Sequence, residues 1–370
     1  MMTADTVGGV WTYSVELARA LENLDVDVVL ATMGAPLRPE QREEVKGLRR
    51  VIVYESNYKL EWMEDPWDEV HAAGEWLLRV EKSTQPDVVH LNGYAHGAFP
   101  WHAPVLIVGH SCVLSWWRAV KGEDAPQEWD SYRKEVSNGL ASVPLVLAPT
   151  HAMLASLDHH YGPFQHSAVI ANGREPSGFR NQGKEPFIFT AGRVWDEAKN
   201  IAALEKAAPA LKWPLYVAGE EEHPDGGTSE HSGATFLGRL APQVMPYWYS
   251  RAGIYALPAR YEPFGLSVLE AALSECALVL GDIDSLREVW GDTALFVPPD
   301  DTDALAHTIN LLADDPAKRA TLAARARTRA LLYGSRRMAD AYLSAYSYLL
   351  GNEAALDQLI PPRLVGEHML

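Results

Sequence analysis

Apolar positions along the chain recur in two alternating rhythms. Residues 10–24 carry Val15, Ala18, Leu21 and Leu24 at helical spacing, and residues 26–31 form a continuous apolar run of strand length. Gly8 and Gly9 make a flexible turn just ahead of that helix. The strand that should precede such a turn is missing from the pattern, because only seven residues stand before Gly8 and few are apolar. Two readings follow: a very short first strand, or a chain that starts where a longer relative would already be in its sheet. Further strands are predicted at 50–55, 88–91, 105–108 and 145–149, separated by helical or loop-like stretches. The tryptophan- and acid-rich stretch 61–76 fits either an acceptor-side lid or a packed surface helix.

The pattern turns polar, with glycine and proline, across residues 167–185 (including NGREPSGFRNQGKEP), and restarts with the strand and turn PFIFTAGRV. Strands are then predicted at 214–218, 234–237, 253–258, 277–280 and 294–297. Helices fall at 200–208, 242–251, 265–273, 286–289 and 302–313, and residues 316–348 read as one or two more. Strands alternating with helices call for parallel sheets covered on both faces. The expected architecture is therefore α/β, with two doubly wound Rossmann-like domains facing across a cleft. Its parts are a domain at 1–170 that lacks or nearly lacks its first strand, a linker at 171–185, a second domain at 186–335, and a helical segment at 336–370 that packs back on the first domain.

Composition narrows the function. With 47% hydrophobic and 22% charged residues the chain is globular rather than disordered. A net charge of −17 leaves no basic stripe for nucleic acid, although local positive charge can still bind one pyrophosphate. Cys112 and Cys276 make neither a metal cluster nor a disulfide framework and read as buried thiols. No basic region followed by an apolar run opens the chain, and no apolar stretch approaches the ~20 residues of a membrane-spanning helix. A cytoplasmic protein is expected, which leaves room for a membrane-borne acceptor and for self-association.

Two strings carry candidate chemistry. In ARYEPFGLSVLEAAL (residues 259–273), Glu262 precedes a helix, Glu270 lies about a turn and a half into it, and the amides of Phe264, Gly265 and Leu266 can point at an anion. In AGRVWDEAKN (residues 191–200), Arg193 follows a strand and a glycine and Lys199 precedes the next helix, so both can converge on a pyrophosphate. Taken singly, each residue is equally well a solvated surface charge. Asp282 and Asp284 form a D-x-D string in a late loop, but no metal site is convincing.

These strings, with the early double glycine and the acid-containing segment from Asp284 to Glu288, occur in the order found in glycosyltransferase family four. The chain resembles these retaining glycosyltransferases of the GT-B fold, most strongly over residues 169–315. The resemblance implies a nucleotide-sugar donor as substrate, no cofactor and no metal. Glu262 would bond sugar hydroxyls at the reacting face, Glu270 the ribose hydroxyls, and Arg193 and Lys199 the diphosphate, helped by amides around Phe264, Gly265 and Leu266. Arg239 and Leu240, in FLGRL, fall where the family contacts the base, and Gly9 lies near the donor phosphate or sugar. His110, in IVGHS, matches the first-domain histidine that meets the donor sugar; without the likeness it would read as a structural histidine at a strand end.

Two departures stand out. Asn172-Gly173-Arg174-Glu175 replaces the frequent Asn-Gly-Val-Asp, and Asp284-Ser285-Leu286 replaces a double glycine. Trp11, Trp116 and Trp117 are candidates for the acceptor side, although core packing is the commoner fate of tryptophan. The expected reaction is retaining transfer of a sugar from a UDP- or GDP-linked donor to an acceptor hydroxyl. Its rivals are a glycoside phosphorylase, a nicotinamide dehydrogenase, and a nucleotide-sugar-binding or scaffold protein with an incomplete first domain and no autonomous turnover.

Overall fold

The computed structural model describes residues 1–221 and 233–359, so the end of the expected C-terminal segment lies outside the described residues. The chain forms two compact units. One takes Met1–Cys112, Pro126–Ala171 and the chain from Ser335 onward; the other takes Val113–Ala125 and Asn172–Gly334.

The first unit is a seven-stranded, all-parallel sheet in the order β3-β2-β1-β4-β5-β6-β7. Its strands are β1 (Met2–Asp5), β2 (Val28–Met33), β3 (Val51–Glu55), β4 (Val89–Leu91), β5 (Val105–Val108), β6 (Leu145–Ala148) and β7 (Ser167–Val169). Of the two readings of the chain's start, the very short first strand holds and the missing strand is corrected. β1 is present and central, pairing Met2 with both Leu30 of β2 and His90 of β4. The pattern hid it because the strand is four residues long and half polar: Met2 and Ala4 are buried, and so is Thr3, whose hydroxyl accepts the Asn92 amide at 2.8 Å. A buried polar strand residue is tolerated when a neighbouring strand satisfies it.

Around this sheet lie α1 (Gly9–Glu22), α2 (Pro39–Lys46) and α3 (Trp67–Thr84), whereas α4 (Val113–Lys121) clusters with the second unit. α5 (Asp130–Ala141) and α6 (His151–Tyr161) complete the first stretch. The helix α3 buries Val70, Ala73, Leu77 and Val80, so the tryptophan- and acid-rich stretch ends in a packed helix. α5 approaches the loop after β4 so closely that a Cβ on Gly139 would lie 1.9 Å from the Tyr94 carbonyl oxygen.

The second unit is a six-stranded parallel sheet in the order β10-β9-β8-β11-β12-β13. Its strands are β8 (Glu185–Ala191), β9 (Leu215–Ala218), β10 (Thr235–Phe236), β11 (Ala252–Leu257), β12 (Ala277–Gly281) and β13 (Leu295–Val297). Every residue of β11 and β12 is buried, as expected for central parallel strands covered on both faces. Its helices are α7 (Ile201–Ala207), α8 (Met245–Arg251), α9 (Leu266–Leu273), α10 (Asp284–Trp290), α11 (Thr302–Asp314) and α12 (Pro316–Ala330). Ile188, Leu204, Val217, Ile254, Val279 and Ile309 lie at the centre of its core.

The apolar pattern at 316–348 resolves into α12 and α13 (Ser335–Leu349), followed by α14 (Ala354–Leu359); α13 and α14 belong to the first unit. Among the described residues no helix is long and apolar enough to cross a membrane. In each sheet the strand order reverses once, between β1 and β4 in the first unit and between β8 and β11 in the second. Such switch points leave a crevice beyond the carboxyl ends of the strands, where ligands of open α/β sheets bind.

Candidate active site

At the second unit's switch point the strand ends are tied together by main chain. The Gly192 amide donates to Ala218 O at 3.0 Å and the Gly219 amide to Gly238 O at 2.9 Å. A Cβ on Gly219 would lie 1.7 Å from Gly192 O, so only glycine lets the two loops approach this closely. Arg193 therefore emerges from a fixed point, and its guanidinium donates to Asp196 Oδ2 at 2.7 Å. Asn200, left-handed at φ 56°, donates from Nδ2 to Pro258 O at 2.9 Å and Pro299 O at 2.7 Å. The Arg260 amide donates to Ala198 O at 2.9 Å. These bonds dock the turn bearing Lys199 onto the loop bearing Glu262.

Lys199 Nζ donates to Glu262 Oε2 at 2.6 Å, and the Gly265 amide donates to Glu262 Oε1 at 3.0 Å. The Gly265 amide, expected to face an anion, is thus taken by the Glu262 carboxylate. The amides of Leu266 and Ser267, in the first turn of α9, have no carbonyl partner within the helix. Phe264 can contribute only main chain, since its ring is buried and packs edge-on against Tyr333. Ser285 donates its hydroxyl to Glu262 O at 2.5 Å and fastens the same loop.

Glu270 is buried, and Arg174 Nε lies 2.9 Å from its Oε1. The departure at position 174 thus sets a cation against the carboxylate for which the resemblance implies ribose binding. The Arg174 amide also donates to Tyr333 O at 3.0 Å. Arg239 and Leu240 follow β10, on the same row of strand ends. Gly9 and His110 belong to the first unit.

Asp196 is a site residue that the sequence reading missed. Its Oδ1 accepts the Ala198 amide at 3.0 Å and the Trp116 indole N–H at 3.1 Å, while Oδ2 holds Arg193. Burial pushes its carboxyl up, but Arg193, Lys199 and these N–H donors outweigh burial and hold it below the usual range. Trp116 is accordingly a ligand of the Arg193 loop, and Lys121 of the same helix donates to Glu197 at 2.8 Å. An acid three residues after Arg193, inside one turn, was the available signal. Trp11 is buried in the first unit and donates to Glu44 at 2.8 Å. Asp282, of the D-x-D string, is bound by the Arg287 guanidinium, and among the described residues no group of three or more His, Cys, Asp or Glu could hold a metal ion.

The first unit's switch point is different in character. Gly8, at φ 81°, precedes α1 and Gly9 is its first residue; both are exposed. His110 follows β5 and places Nε2 2.8 Å from Asn92 Oδ1, at the end of β4. Burial pushes its imidazole down to about 3. Asp5 ends β1, and Glu61 accepts the Tyr94 and Ala95 amides at 3.1 and 2.9 Å. Burial raises Glu61 to about 7 despite those amides, and burial together with Glu61 raises Asp5 to about 8. Neither acid was singled out from sequence.

Both halves of the chain match known family models. The family described as Glycosyltransferase Family 4 matches residues 7–177, and that described as Glycosyl transferases group 1 matches residues 185–315. The chain is 25% identical over 365 residues to glycogen synthase from Mycobacterium tuberculosis, covering 87% of this chain and 86% of that one. It is 34% identical over 132 residues to O-antigen chain mannosyltransferase B from Escherichia coli, a match spanning 32% of this chain and 34% of that one. Among solved structures, sucrose-phosphate synthase from Thermosynechococcus elongatus superposes with a TM-score of 0.78 at 19% identity, over 94% of this chain and 98% of that one. Anabaena HepE, solved with UDP-glucose, superposes with a TM-score of 0.72 at 16% identity, over 94% of this chain and 100% of that one. The fold of both units is thereby the GT-B fold.

Two predictions follow from these contacts. Asp5 and Glu61 bind protons in the folded chain that the unfolded chain has lost above the ordinary carboxylate range. Their stabilisation is complete near pH 4 and is lost as pH rises through about 7 to about 8. The melting temperature of the wild type should fall from about pH 5 to about pH 8 and level off above that, and Asp5→Asn should flatten the fall; parallel curves would contradict the assignment. Arg174→Val leaves Glu270 without its cation and should lower unfolding free energy by about 2 kcal/mol in urea titrations. Unchanged stability would mean that the pair carries no weight.

Proposed function

We propose that this chain, a GT-B-fold glycosyltransferase related to the group 1 and family 4 glycosyltransferases, transfers a sugar from a nucleoside-diphosphate donor to an acceptor hydroxyl with retention of anomeric configuration. The donor, UDP- or GDP-linked, is held at the second unit's switch point. The observation that carries this reading is the convergence there of Arg193, the Lys199–Glu262 pair and the first turn of α9. Two cations beside free helix amides suit a diphosphate, and they develop their full effect when the sugar–phosphate bond breaks and negative charge gathers on the leaving oxygen.

The bond from the anomeric carbon to the diphosphate breaks as the acceptor oxygen approaches the same face. The acceptor proton passes to the departing diphosphate oxygen. Arg193 and Lys199 carry the neutralising charge that a metal supplies elsewhere. A donor diphosphate draws Lys199 away from Glu262 and leaves that carboxylate to accept sugar hydroxyls beside the reacting centre. Glu270 holds the ribose hydroxyls while Arg174 keeps its second face occupied, and Arg239 and Leu240 border the base. Through the family resemblance Gly9 and His110 meet the donor's phosphate or sugar. The buried, reduced thiols of Cys112 and Cys276 fit a cytoplasmic setting. The scaffold reading rested on an incomplete first sheet, and β1 fills that place.

Purified protein incubated with UDP-, GDP- and ADP-sugars should release nucleoside diphosphate from one donor, faster with an acceptor hydroxyl present. Glu262→Ala should reduce that release on the order of 100-fold or more, the loss typical of one preorganised electrostatic partner. No release from any donor, with or without acceptors, would overturn the assignment.

A further inference from the structure

Asn92 sits at the end of β4, where its side-chain amide has only one orientation that satisfies its neighbours. Nδ2 lies 2.6 Å from the Thr3 carbonyl oxygen, which can only accept, so Nδ2 is the donor and Oδ1 the acceptor. Oδ1 then receives His110 at 2.8 Å and His90 at 3.2 Å, both through Nε2. A carbonyl oxygen facing a ring nitrogen requires a proton on that nitrogen, so both histidines carry hydrogen on Nε2. His90 Nδ1 is left as an acceptor and receives the Tyr346 hydroxyl at 2.8 Å from α13. His110 Nδ1 has no hydrogen-bond partner among the described residues, and the Tyr13 ring meets the imidazole edge-on with centroids 4.4 Å apart.

We propose that Asn92 is a positioning residue that locks His110 as the Nε2–H tautomer, so that His110 offers the Nδ1 lone pair as a hydrogen-bond acceptor to a sugar hydroxyl. The direction of that bond rests on the reading of His110 as the residue that meets the donor sugar; the tautomer does not. Burial lowers both His90 and His110 to about 3, which agrees with two neutral rings sharing one carbonyl oxygen. A positively charged His110 would bring a second N–H toward the ligand and lose the acceptor. The hydroxyl recognised must therefore donate, so an O-methylated or deoxy donor at that position is rejected.

The test is nitrogen NMR of the full chain labelled with 15N-histidine, with the His110 signals assigned by comparison with His110→Gln. The wild type should show His110 as a neutral imidazole protonated on Nε2 alone. Asn92→Leu should redistribute the proton between the ring nitrogens and reduce sugar transfer about tenfold. The wild-type spectrum decides the tautomer by itself if the leucine variant folds poorly. A wild-type proton on Nδ1, or a leucine variant with the wild-type pattern, would overturn the proposal. Absence of sugar transfer in the wild type would instead overturn the reading of His110 as sugar-facing, and leaves the tautomer to be decided by the spectra.

Discussion

The ammonium of Lys199 and the carboxylate of Glu262 meet at 2.6 Å with their side chains only 15% and 12% exposed, and the second unit's strand-end loops are built around that pair. Two charges taken out of water gain little net stability from each other. What the pair does provide is a cation and an anion fixed in place before a ligand arrives. The Gly265 amide, the Ser285 hydroxyl and the Asn200 amide group hold the backbone on either side of it. In the proposed reaction a diphosphate entering beside Arg193 would compete with Glu262 for Lys199 while the loops stay in place, which is the condition for electrostatic catalysis to be effective.

The first unit treats its polar groups in the opposite way. Burial suppresses charge on His90 and His110, and raises Asp5 and Glu61 toward neutrality. Hydrogen-bond direction, set by Asn92 and by the Tyr94 and Ala95 amides, takes the place of charge. A neutral polar surface suits sugar hydroxyls, whereas a charged one suits a diphosphate.

Much of this was legible in the sequence because parallel strands are apolar throughout. β5, β11 and β12 read as continuous runs, and the Gly-Arg and Glu–Glu strings fell at strand ends, as the fold demands. β1 was not legible, since Thr3 and Asp5 break the apolar run and their partners lie about 60 to 90 residues away. Asp196 was passed over because its partner Trp116 comes from a helix far upstream. Arg174 was noticed as a departure, but its pairing with Glu270 is a tertiary fact that no local pattern encodes. Asn92 had no signal: its role depends on which amide atom faces Thr3.

The most direct measurement is a crystal structure of the chain with a bound nucleoside diphosphate. The account predicts the diphosphate between Arg193, Lys199 and the first turn of α9, with the Lys199–Glu262 distance lengthened beyond its present 2.6 Å. A diphosphate seated instead on the Gly8–Gly9 turn, with Lys199 and Glu262 still paired, would contradict it.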